Sequence, residues 1–453
     1  MSVTPPLLLI VDYNLSRVAD VAHLAAYAYA RHGAHTVLIR SKPTERDARL
    51  CQYVIDLDPL ADDFVDQALG YLKPWRDRLR AGLVFSDNAV QSGAALLERL
   101  SLPVDSAALA GNAYSKRHYR TSEARIRDLL DAQRVWVPDC VDVRSVDDVR
   151  RFADAHPGGF VVKPSCEGNN RGVVVVKPGD SLEAAFAAVE PYLSRGAICE
   201  SLIPFDREFS FDGVGPIEFI TEKVSAPGRY PVEVAQILPA RVTAAERATL
   251  TRAGRLANVL VGQQRGPFHN EIKLDDDGQH AAVVEPNRRP AGMKIWTIAE
   301  HVYGVDFYAL WVDAAFGAPS ELAVKPTGRQ AATVMLGVPL DGTLTPPGTA
   351  EGAALFDLTL SRAATLLGVE SIRRIEFAWL ADDARFIPAL PRDNADFAAQ
   401  ACFVLDSDAI DMRSAVAAVR ATWLSVLADA RHAFAASVVP APIHAERSTL
   451  AAA

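Results

Sequence analysis

Glu285-Pro286-Asn287-Arg288-Arg289 brings together residue types suited to a magnesium-bound polyphosphate, and the apolar run Ala281–Val284 leads straight into it. In an extended strand successive side chains alternate faces, so Glu285, Asn287 and Arg289 share one side. Carboxylate and amide oxygens suit a hard divalent cation, and a guanidinium suits phosphate or the charge that leaves with it. Upstream, Pro267–Leu274 places Phe268, Ile272 and Leu274 on one face and His269, Glu271 and Lys273 on the other. The turn Asp275–Gly278 has hairpin chemistry. Beyond it Ala282, Val284 and Pro286 alternate with Val283, Glu285 and Asn287. Packing the apolar faces together predicts that Glu271, Glu285 and Asn287 converge, with His269 beside them. A surface hairpin with a solvated charged face is the plainer alternative. Against it, two carboxylates on one face repel unless a cation lies between them, and the run ends in two arginines rather than a turn signal.

A second polar constellation lies further upstream. Phe160–Pro164 reads as a strand ending in Lys163, and Val173–Val176 reads as its return. Between them, Ser165-Cys166-Glu167-Gly168-Asn169-Asn170-Arg171-Gly172 forms a polar loop with two glycines. Such loops bring backbone N–H groups close to phosphates, although an ordinary flexible hairpin would have the same composition. GxxxxGK[ST] occurs nowhere in the chain. Ile198–Ile203 reads as a strand whose backbone could pair with an adenine edge, with Leu202 against the ring and Glu208 accepting from ribose hydroxyls. Cys166 reads as a passive small residue, and Tyr303, Phe307, Tyr308 and Trp311 recur at core spacing. Arg288 alternates away from the site and is expected to be solvated. Met293 and Trp296 suit either a substrate pocket or the core.

These groups need a scaffold of several domains, as expected for 453 residues of which 49% are hydrophobic. Leu7–Val11 predicts a buried parallel strand, followed by a helix at about 16–31 and strands at Thr36–Ile39 and Leu83–Phe85. This alternation predicts an open α/β domain over residues 1–112. It lacks GxGxxG after the first strand, so no dinucleotide fingerprint supports it. Residues 114–132 read as one charged amphipathic helix, and Thr243–Val261 as a helix with a Thr243/Glu246 capping box. Residues 113–318 are expected to form the catalytic core, 319–437 an α+β lobe, and 438–453 a frayed tail. The net charge of −9 argues against a general nucleic-acid binder. Five scattered cysteines without CxxC spacing suit a reducing compartment. With no membrane-length apolar run and no signal-like N-terminus, a cytoplasmic protein is expected.

Taken in order, the segments from about Ala113 to Gly317 resemble the ATP-grasp superfamily. The resemblance implies an N-terminal open α/β (pre-ATP-grasp) domain, an ATP-grasp domain of two α+β subdomains and a C-terminal α+β lobe. It makes Lys116 and Lys163 the phosphate-contacting lysines, and Ser165, Gly168, Asn170 and Gly172 parts of the phosphate-covering loop. Glu200, Ser201 and Leu202 become the adenine linker, and Glu208 the ribose carboxylate. Glu271, Glu285 and Asn287 become ligands of two Mg2+ ions, with Mn2+ as the implied substitute. Arg289, in Asn-x-Arg, is similar to the arginine holding the transferred phosphate and acyl group. Pro290-Ala291-Gly292 and Asn169-Asn170 depart from the common pattern.

Gly266–Glu271, and Thr221-Glu222-Lys223 with Glu233, further resemble ligases that join amino acids into dipeptides and carnosine-synthase-like enzymes. The implied reaction is ATP-driven formation of an acyl phosphate followed by attack of an amine. Arg289, Lys163 and His269 are its implied catalytic groups, and Glu233, His269, Arg289, Gly292 and Met293 its substrate contacts. His269 is a candidate for assisting proton loss from the amine or for a structural role. The implied partners are small-molecule amino acids or related compounds, without nucleic acid or membrane, and a homodimer is possible. An ATP-grasp carboxylase and a non-catalytic nucleotide-binding regulator are the alternatives.

Overall fold

A computed structural model describes residues 4–168, 171–226, 232–318 and 322–433. Asn169 and Asn170 of the expected phosphate loop, residues 227–231 and the 438–453 tail lie outside the described residues. The chain divides into two compact units, Met1–Lys223 with Pro239–Thr327, and Val224–Leu238 with Gly328–Ala453.

The first unit opens with a parallel sheet in the order Tyr53–Asp56, His35–Arg40, Leu7–Val11, Leu79–Val84. Leu7–Val11 is wholly buried at its centre, as its unbroken apolar run requires. Tyr53–Asp56 is an additional strand that the sequence pattern does not single out, and Leu79–Val84 begins earlier than expected.

The expected single helix over 114–132 is instead three: Ala110–Tyr114, Lys116–Arg125 and Arg127–Ala132. Ser115 leaves the helical backbone conformation, and its hydroxyl accepts from the His118 N–H as an N-cap. Lys116 therefore stands at the first position of its helix.

Next comes an antiparallel sheet in the order Cys140–Val143, Ala197–Ser201, Phe160–Pro164, Val174–Val176. Phe160, Val162, Ala197 and Cys199 face a core with Val149, Phe152, Ala185 and Val189 of two covering helices. Strand alternation puts Lys163 and Glu200 on the opposite face.

The third sheet of this unit runs Ile217–Ser225, Arg207–Val214, Pro267–Leu274, Ala281–Asn287. Phe209, Phe211, Phe268, Ile272 and Leu274 pack on Leu250, Ala253 and Ala257 of helix Ala244–Leu260. That helix starts with the expected Thr243/Glu246 capping box.

The last hairpin contains a bulge. From the turn outward, Leu274 pairs with Ala281, Lys273 with Ala282 and Ile272 with Val283, but Glu271 then pairs with Glu285. Val284 is the extra residue. The expected apolar face of Ala282, Val284 and Pro286 is thus corrected: Val283, with Ala281, joins Ile272 in the core. Trp296 packs against Phe307, Tyr308 and Trp311 with 1% of its surface exposed, which makes it core rather than pocket.

The second unit pairs antiparallel strands in the order Glu233–Leu238, Gln330–Leu336, Ala399–Leu405, Arg373–Trp379. Helices Thr349–Leu367 and Met412–Ala433 accompany them, and Phe356, Phe377 and Trp423 lie in its core. Among the described residues no helix is long and apolar enough to cross a membrane.

Candidate active site

The bulge decides which side chains meet. Continuing the register set at the turn would oppose Glu271 with Val284 and carry Glu285 to the core side. With the extra residue, Glu271 and Glu285 are direct cross-strand partners, and so are His269 and Asn287. Each carboxylate has an ammonium beside it. Lys116 Nζ lies 3.0 Å from Glu285 Oε1 and 2.7 Å from the Glu167 carbonyl oxygen. Lys223 Nζ lies 3.0 Å from Glu271 Oε1. The repulsion expected between the two acids is relieved by these cations. Asn287 Nδ2 donates to the His269 carbonyl at 3.1 Å, which fixes the amide and leaves Oδ1 as an acceptor.

His269 is buried between two acids. Its Nδ1 lies 2.6 Å from Asp212 Oδ1, and its Nε2 lies 3.6 Å from Glu271 Oε1. Asp212 Oδ2 also accepts from the hydroxyls of Ser210 and Thr221, each at 2.6 Å. Burial disfavours the imidazolium, but the Asp212 carboxylate and the bond to Glu271 outweigh it and raise the pKa to about 9. The shift favours the protonated, donating form of His269 in the metal-free protein. Burial also opposes ionisation of Glu271, yet Lys223 and His269 hold its carboxyl well below the usual range.

On the second sheet, Lys163 Nζ meets Glu200 Oε2 at 2.6 Å, and Arg120 Nε donates to Glu200 Oε1 at 2.8 Å. Burial alone would raise the Glu200 pKa, but Arg120 and Lys163 bring it down to about 2. The Glu200 side chain is thus committed to two cations. Ser201 exchanges bonds with Asp139: its Oγ accepts from the Asp139 N–H, and its own N–H donates to the Asp139 carbonyl, both at 2.9 Å. Leu202 is partly exposed, and Glu208 lies 3.4 Å from Lys273 Nζ.

Ser165 anchors the expected phosphate loop rather than facing outward. It is fully buried, its Oγ lies 2.8 Å from Ser115 Oγ, and it accepts from the Arg117 N–H at 3.2 Å. Gly172 has φ +70°, and an added Cβ would lie 2.8 Å from Pro164 and 3.1 Å from the Ala188 carbonyl, so its need for glycine is structural. A Cβ at Gly168 would meet nothing within 4 Å, so packing does not demand glycine there.

Arg289 Nε donates to both Asp87 oxygens, at 2.7 and 2.6 Å, and its Nη1 donates to the Pro290 carbonyl at 3.2 Å. Arg288 is not solvated: it is buried and donates to the carbonyls of Ser106, at 2.7 Å, and Val261, at 3.2 Å. Just beyond, Met293 and Lys294 both adopt left-handed conformations, with φ 46° and 58°. Consecutive non-glycine residues there store backbone strain. Gly292 has open space around it. Glu233 belongs to the second unit, where Gln236 Nε2 donates to it at 2.8 Å.

Arg120, Asp212, Lys223 and Asp87 were not among the expected site residues. Arg120 follows Lys116 by four residues, one helical turn. Asp212 interrupts the Phe209–Val214 run and pairs directly with His269. Both signals are legible once the neighbouring elements are known.

A solved L-amino acid ligase from Bacillus licheniformis matches 90% of this chain and 95% of its own with a TM-score of 0.66 and 18% identity. The ADP complex of an N5-carboxyaminoimidazole ribonucleotide synthetase matches 94% and 97%, with a TM-score of 0.64 and 14% identity. The chain has the ATP-grasp fold. Alanine–anticapsin ligase from Bacillus amyloliquefaciens is 25% identical over 206 residues, which cover 40% of this chain and 43% of that relative. The chain therefore matches less than half the length of this curated relative. No family model matches. Lys116 at a helix start, Lys163 in the second sheet, the paired acids with Asn287 in the third, and Arg289 just beyond that strand all belong to one compact unit.

Proposed function

We propose that this chain is an ATP-dependent carboxylate–amine ligase that joins an amino acid to an amine or to a second amino acid. The observation that carries the reading is the direct pairing of Glu271 with Glu285, with Asn287 two residues on and a cationic group beside each acid. Three hard oxygen donors on one strand pair suit Mg2+, and the flanking ammonium groups support a site where positive charge balances the two acids. Glu285, Glu271 and Asn287 would hold the metal, with Mn2+ as a possible substitute. Bound there, magnesium ions would neutralise the charge of the transferring phosphoryl group.

The chain's own residues do the positioning. Lys116 and Lys163 supply point charges for the polyphosphate, and the Ser115–Ser165 bond holds the start of the covering loop to the helix that carries Lys116. A carboxylate is a poor electrophile until ATP converts it to an acyl phosphate. An amine then attacks the carbonyl, phosphate leaves, and an amide forms. Arg289, oriented by Asp87, would stabilise the charge on the acyl phosphate and the tetrahedral intermediate. His269, bonded to Asp212, lies beside Glu271 and helps to orient it.

The likeness to a solved L-amino acid ligase favours amino-acid substrates, and bicarbonate activation is the alternative to test. Homodimerisation and a cytoplasmic location belong to the same reading; five free cysteines support a reducing compartment. The test is phosphate release from ATP over a panel of amino acids and bicarbonate, with product masses. Amino-acid-dependent turnover with dipeptide masses supports the ligase. Bicarbonate dependence favours the carboxylase, and nucleotide binding without turnover favours a regulator.

A further inference from the structure

The bulge that aligns Glu285 with Glu271 has its own buried clamp. Arg120 Nη1 donates to the Val283 carbonyl and Nη2 to the Val284 carbonyl, both at 3.0 Å. These two carbonyls flank the point where the register shifts. An extra strand residue leaves backbone groups without ladder partners, and buried carbonyls need donors. Two nitrogens of one guanidinium meet that need together. The remaining donors fix the clamp itself: Nε bonds Glu200 at 2.8 Å, and Nη1 bonds Glu123 at 2.6 Å. Arg120 is 3% exposed. Glu200 pairs in turn with Lys163 at 2.6 Å, so one planar cation joins the strand bearing Glu285 to the strand bearing Glu200 and, through that carboxylate, reaches Lys163.

We propose that Arg120 is a positioning residue that holds the 283–284 bulge and thereby sets the register in which Glu285 opposes Glu271. The inference rests on the preceding reading only for what the two carboxylates bind. Lysine cannot replace this arginine, because one ammonium lacks the flat array of five donors that spans two carbonyls and two carboxylates. The slack would appear at Glu285 and Asn287, within three residues of the bulge.

The test compares wild type with Arg120→Lys in two ways. Mn2+ affinity is measured by electron paramagnetic resonance in the presence of ADP, and amide hydrogen exchange over residues 281–287 is measured without metal. The expected result for a folded variant is Mn2+ affinity lowered by about 10–100-fold, as for other residues that orient metal ligands, with faster exchange confined to that strand. A folded variant with unchanged affinity and unchanged exchange overturns the proposal, since a general packing role would lower the melting temperature and leave both alone. Should Arg120→Lys fail to fold, Glu123→Gln loosens one anchor of the guanidinium. Faster exchange at 281–287 then supports the clamp, and unchanged exchange overturns it. If wild type binds no Mn2+, the metal reading fails, and the metal-free exchange comparison still decides the role of Arg120.

Discussion

Glu271 and Glu285 are direct cross-strand partners, although the register between their strands shifts by one residue immediately beside them. Their distance from the turn differs by that residue, so the pairing depends on the bulge absorbing Val284 alone. Inserting one alanine after Val284 is expected to carry Glu285 one position on, opposite Asn270 and toward the core, where an unpaired carboxylate is costly. The predicted outcome is a large fall in melting temperature together with loss of metal binding. A thermal melt followed by Mn2+ titration checks it, and an insertion variant that keeps both properties would show that the register at the bulge does not set the site.

The lysines beside the acids make a charge prediction. Lys223 is buried against the half-buried Glu271, so Lys223→Met should leave that acid with less compensating charge in the metal-free protein. Metal-free Lys223→Met should be destabilised by about 1–3 kcal/mol, and saturating Mg2+ should recover part of that loss. Denaturant unfolding with and without Mg2+ measures both effects. No recovery with Mg2+ would argue against a cation site at Glu271.

Arg289 is oriented by Asp87 through a bidentate contact at Nε. Removing a group that stabilises charge in a transition state typically lowers kcat by about 10²–10³-fold, which is the loss expected for Arg289→Ala. Asp87→Asn retains an oxygen acceptor but drops the charge, so a smaller loss is expected, expressed mainly in kcat. Steady-state kinetics at saturating ATP separates the two variants. Equal losses would place Asp87 in direct contact with substrate instead.

Glu200 ties stability to acid pH. Its folded pKa is about 2 against an ordinary value of 4.5, so the folded state favours its ionised form. That contribution is fully present above pH 4.5 and is lost as pH falls from 4.5 toward 2. The shift corresponds to something on the order of 3 kcal/mol. Urea unfolding from pH 6 to pH 3 should show a shallower pH dependence in Glu200→Gln than in wild type. Parallel pH profiles would mean that Arg120 and Lys163 do not hold this acid as the geometry indicates.

Much of this architecture was legible in the chain, and the reasons differ by element. Leu7–Val11 announced itself because a central parallel strand is buried on both faces and reads as continuous apolar sequence. Thr243 and Glu246 gave the start of their helix through local hydrogen bonds alone. The hairpin acids were also readable, because a strong turn fixes a partner. The bulge was not: alternation carries no mark of an extra residue whose carbonyls are satisfied from another helix. For the same reason Arg120 read as one charge among many, and Arg288 as solvated. Their partners are backbone carbonyls at 163 and 182 positions' remove, which no local pattern encodes. His269 was placed correctly, but its charge state follows from Asp212 on the adjoining strand, a pairing that needs the sheet order.

The most direct test of the central claim is ATP turnover by the purified chain with Mg2+ and pairs of amino acids, following phosphate release and product mass together. The account predicts phosphate release that depends on an amino acid, with a new product mass equal to the two substrates less one water, both lost in Glu285→Gln. Phosphate release that is independent of any amino acid, or that needs bicarbonate and yields no amide product, would contradict it.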